Sequence, residues 1–284
     1  MTTKPSEADH ETFEITESGT RLHVHRWSPT EGPLRARLLL VHGYAEHAER
    51  YRELALHLAP RGIETVAPDL RGHGRSDGAR GFVADFDEYA TDVGGVFASL
   101  ATDCPIFILG HSNGGLVALD YVDRYAPSAA GLIVTNPYLE LALSVPPLKL
   151  MLGRLAAKIY PRLAVPSGIP PEVVSRDPHI VALYDRDPLV FKTATVGYVA
   201  EHDRCAARVQ TLTELALPLL FIRSDSDPLV SVEANARFAE QLRTPDKTVW
   251  LREGAGREGM NGLGREALSA DIASWMLERS TRHS

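Results

Sequence analysis

The sequence predicts an α/β protein built on a mostly parallel sheet, and three observations carry that prediction. Short, continuous apolar runs recur along the chain, stretches with helical spacing of apolar residues lie between them, and one run leads directly into a serine flanked by glycines. A strand covered by helices on both faces reads as an unbroken apolar run, because both sets of its side chains are buried. Alternation of such runs with amphipathic helices is the doubly wound pattern.

The elements follow in order. Alternating apolar and polar residues at 12–15 and 22–27, separated by the turn-like Ser18-Gly19, predict two antiparallel strands. The period then changes. Residues 37–41 (RLLLV) form the first continuous run, and similar runs recur at 64–67, 105–109, 131–134, 218–222 and 248–251. With the two antiparallel strands these make an eight-stranded sheet. Between them, Tyr51, Leu54 and Leu58, then Tyr89, Val93, Val96 and Phe97, then Leu116, Leu119 and Val122 fall on helical faces.

The alternation stops between Pro137 and about Arg208. Residues 1–136 and 209–284 are therefore expected to form the core, with 137–208 inserted as a helical cap over the C-terminal edge of the sheet. Within the insertion Leu148, Met151, Leu152, Leu155 and Ile159 form an apolar stripe flanked by Lys149, Arg154 and Lys158. Such a stripe can wet a lipid surface or line an acyl site, but packing on the core is its commoner cause.

Composition narrows the function. With 284 residues, 44% of them hydrophobic, the chain can bury one substantial core. A formal net charge of -7 leaves no basic stripe for phosphates, so a nucleic-acid partner is not expected. Cys104 and Cys205 fit neither a disulfide framework nor a zinc spacing, and no metal or cofactor is expected. Residues 1–14 are polar and acidic, and no stretch reaches the roughly 18 apolar residues of a membrane span. A cytoplasmic protein is the expectation.

The chemistry concentrates at three places. The run 105–109 enters Gly110-His111-Ser112-Asn113-Gly114-Gly115 and then a helical pattern, a Gly-x-Ser-x-Gly in strand-turn-helix context. Small flanks are needed because a nearby Cβ would collide with the adjoining strand or helix. His42-Gly43-Tyr44 closes the first parallel run, where the backbone N–H of Tyr44, with that of Asn113, can form an oxyanion hole. Ser224-Asp225-Ser226-Asp227-Pro228 follows the run 218–222 and offers a carboxylate. Asp227 is the better candidate and Asp225 the second, with a polar turn capping the next helix as the alternative.

These segments, with 42–51 (HGYAEHAERY), 68–78 (PDLRGHGRSDG) and 175–190 (SRDPHIVALYDRDPLV), resemble the monoacylglycerol lipase and lysophospholipase branch of the α/β-hydrolases, a serine aminopeptidase-like group. The resemblance covers about residues 12–277, with the motifs in family order. It implies an α/β-hydrolase fold, Ser112 as nucleophile, Asp227 as triad acid, and Tyr44 with Asn113 as oxyanion donors. It also implies a cap admitting a single acyl chain, no metal or cofactor, and an acyl ester or lipid-like substrate. The stripe in the insertion adds the expectation of transient membrane-surface contact through the cap.

One position breaks the pattern. The family's catalytic histidine lies in a segment like Gly-x-x-His-Glu-x-x-Asn-Glu, and residues 254–262 here place Arg257 at the histidine, with Glu258 and Asn261 retained. A guanidinium stays protonated and only donates hydrogen bonds, so it cannot take a proton from Ser112. It can pair with Asp227 or hold an anionic ligand. Asn113 and Gly262 also differ from the family, which has methionine and glutamate there. His111 and His42 read as structural residues, His47 and His73 as loop scaffolding, and His283 lies in the tail. His202 shares a stripe with Val199, Ala206 and Val209 and is either a relocated base over the pocket or a histidine at a packing boundary. Two functions remain open: a serine carboxylester hydrolase impaired or altered by Arg257, or a non-hydrolytic descendant that binds a ligand or reuses the oxyanion hole.

Overall fold

The structure, a computed structural model, describes residues 8–142, 146–254, 257, 259–262 and 264–281. The side chains of Leu148 and Lys149, and all of Glu258 and His283, lie outside what is described.

Strands β1 (Asp9–Glu17) and β2 (Thr20–Ser28) form the expected hairpin. The continuous runs become β3 (Ala36–Val41), β4 (Ile63–Pro68), β5 (Ile106–His111), β6 (Gly131–Thr135), β9 (Leu219–Ser224) and β10 (Lys247–Arg252). They assemble in the order β1-β2-β4-β3-β5-β6-β9-β10, antiparallel only at β1-β2 and β2-β4. The chain is thus an α/β-hydrolase fold with a mostly parallel eight-stranded sheet. The continuity of the runs has a direct cause. On β3, Leu38 and Leu40 face helices α1 (Arg52–Leu58) and α8 (Arg265–Ser280), whereas Leu39 and Val41 face α2 (Asp87–Ser99) and α3 (Asn113–Tyr125). Arg37, the polar residue of that run, is buried through its bond to Glu64 at 2.6 Å.

The run at 248–251 does not behave as expected. β10 is the sheet's edge, so only one of its faces is covered, and Val249 and Leu251 are exposed. An apolar run reports what could be buried, and position in the sheet decides what is.

Between β6 and β9 the chain forms α4 (Pro147–Ile159), a two-stranded ribbon of β7 (Ala164–Pro166) and β8 (Thr193–Thr195), α5 (Pro178–Arg186) and α6 (Val196–Val209). The apolar stripe of α4 is not packed on the core. Met151, Leu152, Leu155 and Ile159 are each more than half exposed, which corrects the commoner expectation for such a stripe. On α6 the buried face is Tyr198, His202, Cys205, Ala206 and Val209, while Val199 points outward. Among the described residues no helix is long and apolar enough to cross a membrane.

Successive parallel crossovers place β4 on one side of β3 and β5 on the other. The ends of β3 and β5 therefore flank the switch point where doubly wound sheets open a crevice. Gly43 and Ser112 stand at those ends, and a Cβ built on Gly43 would lie 3.4 Å from that of Ser112.

Candidate active site

Ser112 joins β5 to α3 with φ 54° and ψ -117°, a backbone conformation that a side chain rarely adopts. Its neighbours show why the turn needs glycine. A Cβ at Gly110 would sit 2.2 Å from the Gly114 carbonyl oxygen, and one at Gly114 would sit 2.1 Å from that of Val41. The turn is tied down by its own backbone, since the Ser112 N–H donates to Thr135 and its carbonyl accepts from Gly115, Leu116 and Tyr138. Helix α3 directs its positive end at the serine.

Three of the sequence-predicted residues meet here. Arg257 donates through Nη2 to the Ser112 Oγ and through Nη1 to both Asp227 oxygens, at 3.3 and 3.4 Å. The Asp227 carboxylate is buried and also accepts from the N–H groups of Leu229 and Val230, at 2.8 and 3.1 Å. Asp225 serves the loops instead, because its carboxylate accepts from the Gly254 N–H at 2.9 Å and so joins the turn after β9 to the segment after β10. The cap of helix α7 (Val232–Gln241) is Ser231, not an aspartate.

Tyr44 and Asn113 bracket the serine. Among the described residues neither N–H donates to a protein acceptor, as an oxyanion donor requires. The Tyr44 ring lines the cavity, stacks on Tyr198 with centroids 4.0 Å apart, and sends its hydroxyl to the Thr193 carbonyl. Asn113 is fully buried, and its Oδ1 accepts from the Tyr198 hydroxyl at 3.0 Å. Asn113 thus places a polar contact between α3 and α6.

His202 does not join the cluster. Its Nε2 donates to the Tyr138 carbonyl at 3.0 Å and its Nδ1 faces Asp203 at 3.3 Å, so the ring is held behind Tyr138. It lines a separate hollow with Arg154 and Gln210 and is not among the residues around Ser112, so the structure does not offer it as a relocated base. His42 bonds the Gly43 carbonyl and accepts from the Leu70 N–H, His73 bonds the Arg71 carbonyl, and His47 bonds Asp187. His111 bonds Thr135 at 2.6 Å.

Two residues that the sequence reading passed over organise the site. Glu46, inside the HGYAEHAERY segment, accepts from the Gly43 N–H and the Tyr51 hydroxyl, both at 2.6 Å, and pairs with Arg50. Burial alone would raise its carboxyl, but the Arg50 guanidinium beside it holds it well below the usual range. Asn136, at φ 41°, donates to the Arg257 carbonyl at 2.9 Å and accepts from the Ser224 N–H at 2.8 Å. An Asn-Pro pair ending a strand was the available signal, since asparagine tolerates positive φ.

The cavity at Ser112 has a volume of about 60 Å³ and is walled by Tyr138, Ile169, Val174, Tyr184, Leu229 and Val230. Its one lining guanidinium among the described residues is that of Arg257. No group of three or more His, Cys, Asp or Glu among the described residues is placed to hold a metal ion.

Burial also sets a pH response. It pushes His111 down to about 4, His73 down to about 3, and His42 below its ordinary value of 6.5. The folded chain keeps these rings neutral where the unfolded chain takes up protons, so their contribution to stability is whole above pH 6.5 and declines as the pH falls toward 4. The urea midpoint is expected to be lower at about pH 5 than at about pH 7.5. An unchanged or higher midpoint in the acidic buffer would contradict this account.

Comparisons with known proteins agree with the architecture. The family described as "Serine aminopeptidase, S33" matches residues 32–261. An uncharacterized abhydrolase domain-containing protein of Dictyostelium discoideum is 31% identical over 93% of this chain, which spans only 28% of that protein's length. The monoacylglycerol lipase of Mycolicibacterium smegmatis is 29% identical over 91% of this chain and 94% of its own. The crystal structure of Paleococcus ferrophilus monoacylglycerol lipase superposes with a TM-score of 0.83 at 27% identity, covering 91% of this chain and 99% of that one. With the elbow at Ser112, the acid turn and the eight-stranded sheet already in place, the chain belongs to the serine aminopeptidase S33 family of α/β-hydrolases, in its monoacylglycerol lipase-like branch.

Proposed function

We propose that this chain is a lipolytic serine carboxylester hydrolase of monoacylglycerol lipase or lysophospholipase type whose turnover is impaired by Arg257. Ser112 acts as nucleophile, Asp227 as acid, the N–H groups of Tyr44 and Asn113 as oxyanion hole, and residues 137–208 as cap. One observation carries the reading: a strained serine linked through Arg257 to a buried aspartate, with a triad's connectivity and a cation where a base belongs. The names of the relatives support an acyl ester as substrate.

The chemistry follows from that connectivity. Attack forms a bond from the Ser112 Oγ to the acyl carbon, and the oxyanion is met by the two N–H groups. The serine proton must leave. Arg257 has no lone pair to receive it, so water or hydroxide takes it, while the guanidinium charge stabilises the alkoxide. A scaffold without its base retains about 10³ to 10⁴ over the uncatalysed reaction. The cavity of about 60 Å³ also requires the cap to move before an acyl chain can enter.

Labelling with a fluorophosphonate tests this reading. Slow labelling of the parent and none of Ser112→Ala is the expected result. Equal labelling of both, or no turnover of short p-nitrophenyl esters even at high pH, would sink it.

Arg257 favours a second reading, in which the site binds a small carboxylate without hydrolysis, because a guanidinium among apolar walls suits a carboxylate head. Acetate or butyrate binding that is lost in Arg257→Gln, with no labelling at Ser112, would select it.

The exposed stripe of α4 supports transient contact with a lipid surface. Leu155→Asp combined with Ile159→Asp is expected to lower co-sedimentation with phosphatidylcholine vesicles about ten-fold or more, each buried side chain being worth about 1.5 kcal/mol or more. Unchanged co-sedimentation would remove this contact from the proposal.

A further inference from the structure

A second cleft, of about 950 Å³, opens where α5 meets the first turn of α8 and the segment leading into α1. It is distinct from the Ser112 cavity, and Tyr184 of α5 lines that cavity while Ile180 and Leu183 turn to the cleft. Its volume falls in the range of sites for small organic ligands, roughly 300 to 1,000 Å³.

Its charge is unevenly matched. Arg50 is paired with Glu46, Arg52 with Glu53, and Arg75 with Glu49, and the cleft histidine His47 is bonded to Asp187. Arg186, the last residue of α5, and Arg265, the first of α8, line the same cleft and have no carboxylate partner among the described residues. Among the described residues the buried Arg265 Nε has no hydrogen-bond partner. A buried guanidinium nitrogen that donates to nothing costs free energy unless a ligand or an ordered water supplies the acceptor. Arg186 is exposed, and its guanidinium and that of Arg265 open on the same cleft.

Part of the lining is apolar. Ile180, Pro188 and Leu189 form it, and Leu183 is more than half exposed there. Guanidinium forks match the geometry of phosphate oxygens, and an adjoining aliphatic wall matches an alkyl chain.

We propose that this cleft binds an anionic amphiphile, with a phosphate head between Arg186 and Arg265 and its tail along Ile180 and Leu183. The site lies outside the proposed catalytic residues and does not depend on hydrolysis at Ser112. Its oxyanion chemistry is shared by a lipid phosphate head and by free phosphate, and the two are separated experimentally.

Isothermal titration of the full chain with decyl phosphate, below its micelle concentration, tests the proposal. Saturable binding is expected, weakened about ten-fold by Arg186→Gln and by Arg265→Gln, the loss of one charge-assisted contact each. Leu183→Asp also weakens it, Arg265→Lys retains part of it, and Arg257→Gln leaves it unchanged. Thermal melting verifies that each variant is folded, and the exposed Arg186 keeps the test open if Arg265→Gln is not. Decyl phosphate affinity that survives both glutamine variants overturns the proposal, as does a loss confined to Arg257→Gln, which assigns binding to the Ser112 cavity. Inorganic phosphate binding as tightly as decyl phosphate overturns the amphiphile assignment in favour of free phosphate. Decyltrimethylammonium binding equally well overturns the role of the arginines.

Discussion

Replacing Arg257 by histidine is expected to raise kcat/KM for a short p-nitrophenyl ester by about 10² to 10⁴, the usual contribution of a positioned general base. The geometry that supports this is already assembled. Arg257 touches both the Ser112 Oγ and the Asp227 carboxylate, and Asn136 anchors its backbone carbonyl, so a shorter imidazole on the same loop starts from a supported position. The pH dependence separates this account from a general improvement in binding. The parent's residual rate should climb with pH without a plateau, because hydroxide or water accepts the proton. The histidine variant should level off above the imidazole pKa, ordinarily near about 6.5. Equal rates and equal pH profiles for parent and variant would mean that the base is not the deficit.

The second large effect is on stability. Gly114→Ala is expected to destabilise the fold by about 3 kcal/mol or more, lowering the melting temperature by about 6 to 10 °C. The new Cβ would lie 2.1 Å from the Val41 carbonyl oxygen and 2.4 Å from that of His42. Both are backbone atoms at the end of a central strand and cannot swing aside. Alanine's helix propensity opposes this by only about 1 kcal/mol. Gly153, in the middle of α4, is the control, because nothing lies within 4 Å of a Cβ there. Gly153→Ala should be neutral or slightly stabilising. A melting temperature for Gly114→Ala indistinguishable from the parent's would show that the elbow can spread, and the steric account of its glycines would fall.

The segment between β6 and β9 illustrates why patterning alone stops short of function. The stripe on α4 is periodic whether it faces the core or the solvent, and only the packing of neighbouring elements left Met151, Leu155 and Ile159 uncovered. His202 sits on a genuine buried face, yet the side it presents is closed by the Tyr138 carbonyl, a residue 64 positions away. Asn136 was invisible for the same reason, because its partners Arg257 and Ser224 are brought to it by strand ends meeting in space. Glu46 bonds Gly43, Arg50 and Tyr51 within its own segment, but only the turn that burial closes around it brings them together.

From the sequence by itself came the doubly wound order of elements, the serine between glycines, the carboxylate turn at Asp227 and the arginine at position 257, where the resemblance calls for a histidine. Each rests on a local cause: a two-faced strand is apolar throughout, a tight elbow excludes Cβ atoms, and a guanidinium cannot accept a proton at any register. The tertiary structure alone decided that Arg257 bridges Ser112 and Asp227, that β10 is an edge with Val249 and Leu251 uncovered, and that Arg186 and Arg265 share one cleft. Those outcomes depend on which surfaces meet, and burial, ion pairing and hydrogen bonding are properties of the meeting rather than of either segment.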